Sequence, residues 1–308
     1  MKKPVVLILF NRPEMTQRVF AEIRKYRPNK LLLIADGPRP ERDGEAQACA
    51  QARSIVDAID WDCDVLKNFS DENLGCKRRL ATGLTWAFDQ VEDAIILEDD
   101  CVPHPDFFKF CQELLDRYAN DERFMIISGD CFVPRPPSYP FSYSISRLPY
   151  IWGWASWKRA WKHYDISMKA WPDFRDRGGL EKMGWSPAIC RHYRKIFDDT
   201  HAGKIDTWDH EWTFSIWNRG GLCIFPEKNL VTNIGFGEDA THTKIKNRFA
   251  NLPTESLVFP IKHPSALEAD LANDLRIQRK HSALMPKVIN RLKYAFYVSL
   301  PHKKLKPS

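Results

Sequence analysis

Ala94-Ile95-Ile96-Leu97-Glu98-Asp99-Asp100 sets four apolar residues directly against three acids. A short continuous apolar run without alternation suits a strand covered on both faces, as in a parallel sheet. In an open α/β sheet, ligands bind beyond the carboxyl ends of the strands, which is where these acids stand. Three adjoining carboxylates repel one another, and the cost falls if a cation lies among them. Hard oxygen donors favour Mg²⁺ or Mn²⁺, normally shared with phosphate oxygens. A solvated acidic turn is the usual alternative for such a triplet. Its position straight after a buried strand argues for a site instead.

The same rhythm extends to both sides. Residues 5–10 form an apolar β-type run, and Pro13 then suits the first position of a helix reaching about residue 25. Residues 30–35 predict a second buried strand, ending at the turn signal Asp36-Gly37-Pro38. An Ala-rich helix over 45–59, a strand over 64–69 and a helix over 77–89 lead into the acidic strand. Pro105 opens a helix to about 118, and 124–128 predict another strand. Repeated βα alternation implies a Rossmann-like α/β fold, a mostly parallel sheet flanked by helices. The second half is less regular: a Pro-rich loop over 134–140, five tryptophans between 152 and 171, helices over 187–198 and 208–217, and short strands over 222–225 and 230–234. The expected organisation is residues 1–265 as one domain, with 1–130 holding a nucleotide and 131–265 closing the site. Residues 266–308 form a C-terminal helical extension.

The chain has 308 residues and a formal charge of +6, with 44% hydrophobic residues. That composition excludes a mostly disordered chain. From Leu275 onward there are nine basic residues and no acid, so removing those nine from +6 leaves −3 for residues 1–274. A nucleic-acid enzyme spreads its basic residues over a binding face, and this body does not. The apolar run near the start is far short of the ~20 residues that span a bilayer. Met1-Lys2-Lys3 imitates a signal peptide, but Asn11-Arg12-Pro13-Glu14 ends the apolar stretch before a cleavage site. The expectation is a cytoplasmic protein. Its 8 cysteines show no CxxC pair or zinc spacing, so they read as reduced thiols. No GxGxxG follows the first strand and no Walker A sequence occurs, which disfavours dinucleotide binding and P-loop chemistry.

Further candidates gather around the triplet. Asp36 stands after another strand, where it can accept from a base or a ribose hydroxyl, or close its own turn. Asn73-Leu74-Gly75-Cys76-Lys77-Arg78-Arg79 joins free N–H groups to basic residues at a helix start, a place for a diphosphate. In Trp208-Asp209-His210-Glu211-Trp212 the two acids diverge by about 200° on a helix, so one faces the site. A carboxylate beside indoles is a candidate general base, and capping the helix is its structural alternative. His242, in a turn with Glu238 and Asp239, is a candidate metal ligand. Trp152 and Trp154 are candidates to face a sugar, because Gly153 between them permits close approach; core packing is the commoner use of tryptophan.

Leu97-Glu98-Asp99-Asp100 followed by Pro105-Asp106-Phe107-Phe108 resembles the metal-binding motif of GT-A glycosyltransferases, above all the N-acetylglucosaminyltransferase I family. Gly153-Trp154 to Trp161 and Trp208 to Trp212 resemble that family's later motifs in the same order. The stretch IGFGEDATHT resembles the closing segment of bacterial glycosyltransferases of surface-polysaccharide synthesis. The resemblance spans about residues 4–265. It implies a GT-A fold and transfer, with inversion, from a UDP-linked nucleotide-sugar donor to a glycan or lipid-linked acceptor. It implies Mn²⁺ or Mg²⁺ on Asp100, and donor contacts from Asn11, Arg12, Asp36, Arg79, Glu98 and Asp99. Asp209 matches the base position. The chain reads WDHEW where the family has WDDW, so Glu211 rivals Asp209.

Two other classes compete. A sugar nucleotidyltransferase would share the scaffold and the metal, but it usually carries a Gly-rich basic loop where this chain has Asn11-Arg12-Pro13. A non-catalytic carbohydrate-binding protein would use the tryptophans without the acids. Residues 283–297 mix Val288, Ile289, Leu292 and Phe296 with Lys287, Arg291 and Lys293. An interfacial helix has this character, so the tail is expected to touch an anionic membrane from the cytoplasmic side.

Overall fold

The computed structural model describes residues 1–136, 138–236, 249 and 251–284, with the backbone alone over 280–284. In chain order the elements are β1 (Val5–Leu9), α1 (Pro13–Tyr26), β2 (Lys30–Ala35), α2 (Glu45–Ile55), β3 (Asp64–Phe69), α3 (Gly75–Gln90), β4 (Asp93–Glu98), β5 (Cys101–Pro103), α4 (Pro105–Arg117) and β6 (Phe124–Ser128). They continue with β7 (Tyr143–Ser146), β8 (Trp154–Trp157), α5 (Lys158–Trp161), α6 (Trp171–Asp176), α7 (Pro187–His201), α8 (Asp209–Asn218), β9 (Leu222–Pro226), β10 (Val231–Asn233) and α9 (Leu271–Leu284).

Eight strands form one sheet in the order β3-β2-β1-β4-β8-β6-β9-β7, while β5 and β10 pair separately. β3, β2, β1 and β4 run parallel, β8 runs against both β4 and β6, and β9 is parallel to β6. β6 and β9 therefore point the same way as β4. The fold is a Rossmann-like α/β sheet, mostly parallel and flanked by helices.

Both faces of the sheet are covered, which is why β1, β2 and β4 read as continuous apolar runs. Ile95 and Leu97 face α1 and α4; Ile96 and Trp154 belong to the opposite layer with Trp208 and Trp212. α1 starts at Pro13 and buries Thr16, Val19, Phe20 and Ile23, one face at helical spacing. α4 starts at Pro105, and the His104 ring accepts from the Asp106 N–H at 3.2 Å.

The tryptophan-rich stretch contains an element the sequence did not announce. Trp154–Trp157 is β8, buried in the middle of the sheet, so the second half completes the sheet begun by the first. The start of the expected extension is also tied down. Asp274 of α9 is fully buried, accepting from the Ser146 hydroxyl at 2.6 Å and the Arg147 N–H at 2.9 Å. Residues 285–308 lie outside the described residues, and with them most of the basic stretch. All eight cysteines are unpaired. Among the described residues no helix is long and apolar enough to cross a membrane.

Candidate active site

Strand direction assembles the site. The carboxyl ends of β1, β2, β4 and β6 share one edge, and each delivers polar residues there: Asn11 and Arg12 after β1, Asp36 after β2, Glu98-Asp99-Asp100 at β4, Asp130 after β6. Because β8 runs the other way, its leading residues Trp152 and Gly153 reach the same edge.

Arg12 meets the triplet. Its guanidinium lies 3.0 Å from Asp99 Oδ1 and 2.7 Å from Asp100 Oδ2, and Asp99 Oδ2 accepts from the Phe10 N–H at 3.1 Å. Burial works against the guanidinium's charge, but Asp99, Asp100 and Glu98 outweigh it and raise its pKa. The chain thus supplies these acids with a counter-charge of its own. Gly235 closes over this pair. A Cβ there would stand 2.0 Å from Asp100 Oδ2 and 2.8 Å from Arg12, so a side chain at this position would displace that pair.

Glu98 receives no hydrogen bond among the described residues. Burial, followed by the charges of Asp100 and Asp99, holds its carboxyl well above the usual range. Arg12 opposes that rise, while Asp209 of α8 is near enough to add to it. Burial likewise raises Asp99 against Arg12. Three carboxyl groups therefore act on one guanidinium, leaving a surplus of negative hard oxygen donors. Among the described residues no three His, Cys, Asp or Glu stand where they could hold a metal ion, so a divalent cation on Asp100 and Glu98 would need phosphate oxygens and water for its remaining positions. His242 lies outside the described residues.

Asp209 and Glu211 separate as the helix geometry requires. Asp209 Oδ1 accepts from the Thr207 hydroxyl and from the His210 N–H, and the side chain is about one-third exposed beside the triplet. Glu211 is fully buried, with Lys77 Nζ 2.5 Å from Oε1 and, among the described residues, no hydrogen-bond partner on Oε2. Burial pushes Glu211 up to about 7, with Lys77 opposing. The folded protein therefore keeps this proton more firmly than the unfolded chain, where the carboxyl titrates near 4.5. Its contribution to stability is complete below about pH 4.5 and declines as pH rises through 7. Glu211→Gln does not titrate, so the thermal midpoint of the variant should gain on wild type by roughly 5 °C between pH 5 and pH 8. Calorimetric scans at both pH values check this; a gap independent of pH contradicts it.

Other expectations meet different arrangements. The junction read as a diphosphate cradle is filled from within the chain. Asp36 accepts from the Leu74, Gly75 and Gly37 N–H groups at 2.9, 3.0 and 3.0 Å, leaving little of its own acceptor capacity for a base. Burial nonetheless raises its pKa. Arg79 is buried and donates to Asn68, and Lys77 is spent on Glu211. Asn11 donates to Glu45 at 2.8 Å. Trp154 is fully buried, packing at centroid distances of 5.8 and 6.2 Å on Trp208 and Trp212, so it is core and not a sugar platform. Gly153, at φ +69°, is needed because a Cβ would stand 2.6 Å from Val231, not to admit substrate. Trp152 is half-buried, edge-on to Phe236 at 5.3 Å. Sequence reasoning missed Asp130, although its position two residues after a buried strand repeats the placement of the other strand-end acids.

No protein-family model and no curated protein matches this chain. Among solved structures, HddC from Yersinia pseudotuberculosis is similar over 46% of this chain and 59% of its own, at 11% identity and TM-score 0.28. UDP-glucose pyrophosphorylase complexed with UDP-glucose is similar over 48% of this chain and 59% of its own, at 10% identity and TM-score 0.26. The chain therefore spans about three fifths of the length of these structures. Likeness at that level carries no argument about activity, which rests on the site itself.

Proposed function

We propose that this chain is a glycosyltransferase that moves a sugar from a UDP-linked donor to a hydroxyl of a glycan or lipid-linked acceptor. The observation that carries this reading is the strand-end triplet with Asp209 of α8 near enough for its charge to act on Glu98, which receives no hydrogen bond among the described residues. Such an edge suits a nucleotide diphosphate, and Asp209 is placed to act on a hydroxyl beside it. The acceptor oxygen bonds to the anomeric carbon as the bond from that carbon to the diphosphate oxygen breaks. The hydroxyl proton passes to Asp209 and the electron pair leaves with the diphosphate, inverting the configuration. Mn²⁺ or Mg²⁺, when bound, would neutralise charge on the departing diphosphate. Asn11, Arg12 and Asp36 flank the donor side at the ends of β1 and β2, and Gly235 closes it from above.

Calorimetry with UDP tests the reading directly. Binding is expected with Mn²⁺ and at least tenfold weaker in EDTA, followed by slow hydrolysis of a UDP-sugar in a donor panel. Absence of UDP binding contradicts it. Release of pyrophosphate from UTP and a sugar 1-phosphate would instead assign the site to nucleotidyl transfer.

A further inference from the structure

Asp130 is a buried carboxyl that nothing in the scheme above uses. It is 1% exposed, its Oδ2 accepts from the Trp152 N–H at 3.0 Å, and its Oδ1 has no partner among the described residues. Burial holds it well above the usual carboxylate range, opposed by that single N–H. A buried polar atom with an unused hydrogen-bonding position is costly, which calls for an occupant or a function.

The sheet register says where that group stands. Ile96 pairs with Trp154, and Trp154 pairs with Ser128. Glu98, Trp152 and Asp130 lie beyond these pairs at the same edge of the sheet, and Trp152, set off by the left-handed Gly153, packs against the layer opposite α8. Trp152 is bounded by Phe132 at 5.0 Å and Phe236 at 5.3 Å, both edge-on, and Phe236 directly follows the Gly235 that covers Asp100. An aromatic wall beside a buried carboxyl, at the sheet edge that also holds the triplet, is the composition that recognises a sugar: ring faces for C–H groups and a carboxyl for one hydroxyl.

We propose that Asp130 and Trp152 form the acceptor-sugar subsite. The Asp130 carboxyl takes one acceptor hydroxyl and the Trp152 ring packs against the pyranose, reached when the Phe236 ring swings aside. This rests on the glycosyltransferase reading and adds to it a residue that selects the acceptor. Asp130 is a positioning residue here; the proton still goes to Asp209.

Saturation-transfer NMR on the full chain with saturating UDP and Mn²⁺ tests it, with methyl glucoside, galactoside and mannoside as probes. Wild type is expected to show transfer to at least one glycoside. That signal should fall at least fivefold in Asp130→Asn, which keeps the side chain's size, and in Trp152→Ala, while the UDP dissociation constant stays within twofold. Unchanged glycoside signals in both variants overturn the proposal, as does the absence of any signal in wild type that binds UDP. Loss of UDP binding in wild type would instead remove the glycosyltransferase reading. Should Asp130→Asn not fold, Trp152→Ala decides alone.

Discussion

Arg12→Met is expected to lower the thermal midpoint by roughly 6–20 °C and to weaken UDP binding. The guanidinium answers both Asp99 and Asp100 in a largely buried position. Removing one partner of such a network leaves uncompensated buried charge, a cost of about 3–5 kcal/mol. In a chain of this size each kcal/mol moves the midpoint by roughly 2–4 °C. Millimolar Mg²⁺ should recover part of the loss in the variant by occupying the vacated oxygens, and should stabilise wild type less, where Arg12 already holds them. Scanning calorimetry with and without Mg²⁺ measures both effects. A midpoint within 2 °C of wild type would show that the pair contributes nothing, and would return the acids to the status of a solvated turn.

The second large effect concerns the base. Asp209→Asn is expected to reduce turnover at least ~100-fold, the scale of losing a general base, with the UDP dissociation constant unchanged. Glu211→Gln should keep turnover within about fivefold, because its carboxyl is buried against Lys77 and has no path to a hydroxyl. The two variants thus separate what WDHEW leaves open. Single-turnover rates with a UDP-sugar check the contrast. Equal rates in Asp209→Asn and wild type would exclude Asp209, and a collapse in Glu211→Gln alone would reverse the assignment.

The first half of the sheet was legible because its strands are buried on both faces. A continuous run such as residues 30–35 has no other economical fate, and Pro13 and Pro105 mark helix starts through a fixed backbone angle and a missing donor. β8 was hidden for the opposite reason. Its aromatic residues carry little period-two signal, and tryptophans at 154 and 157 serve a buried strand as readily as a loop. The acids at 98–100 were visible as a site, since their position follows from the strand before them. Their counter-ion was not, because Arg12 lies some ninety residues away and meets them only through the pairing of β1 with β4. The same holds for Asp36: next to Gly37 it reads as a turn residue or a ligand contact, and only the packing of α3 makes it the acceptor for Leu74 and Gly75.

By itself the amino-acid order determined the βα alternation, the strand that ends in acids and the helix that carries Asp209, because each depends on local burial and backbone preference. The tertiary structure decided which groups meet: Arg12 on Asp99 and Asp100, Lys77 on Glu211, Asp130 on the Trp152 N–H. Such pairings depend on strand order and direction, which place distant segments within a few ångströms, and no local spacing encodes that.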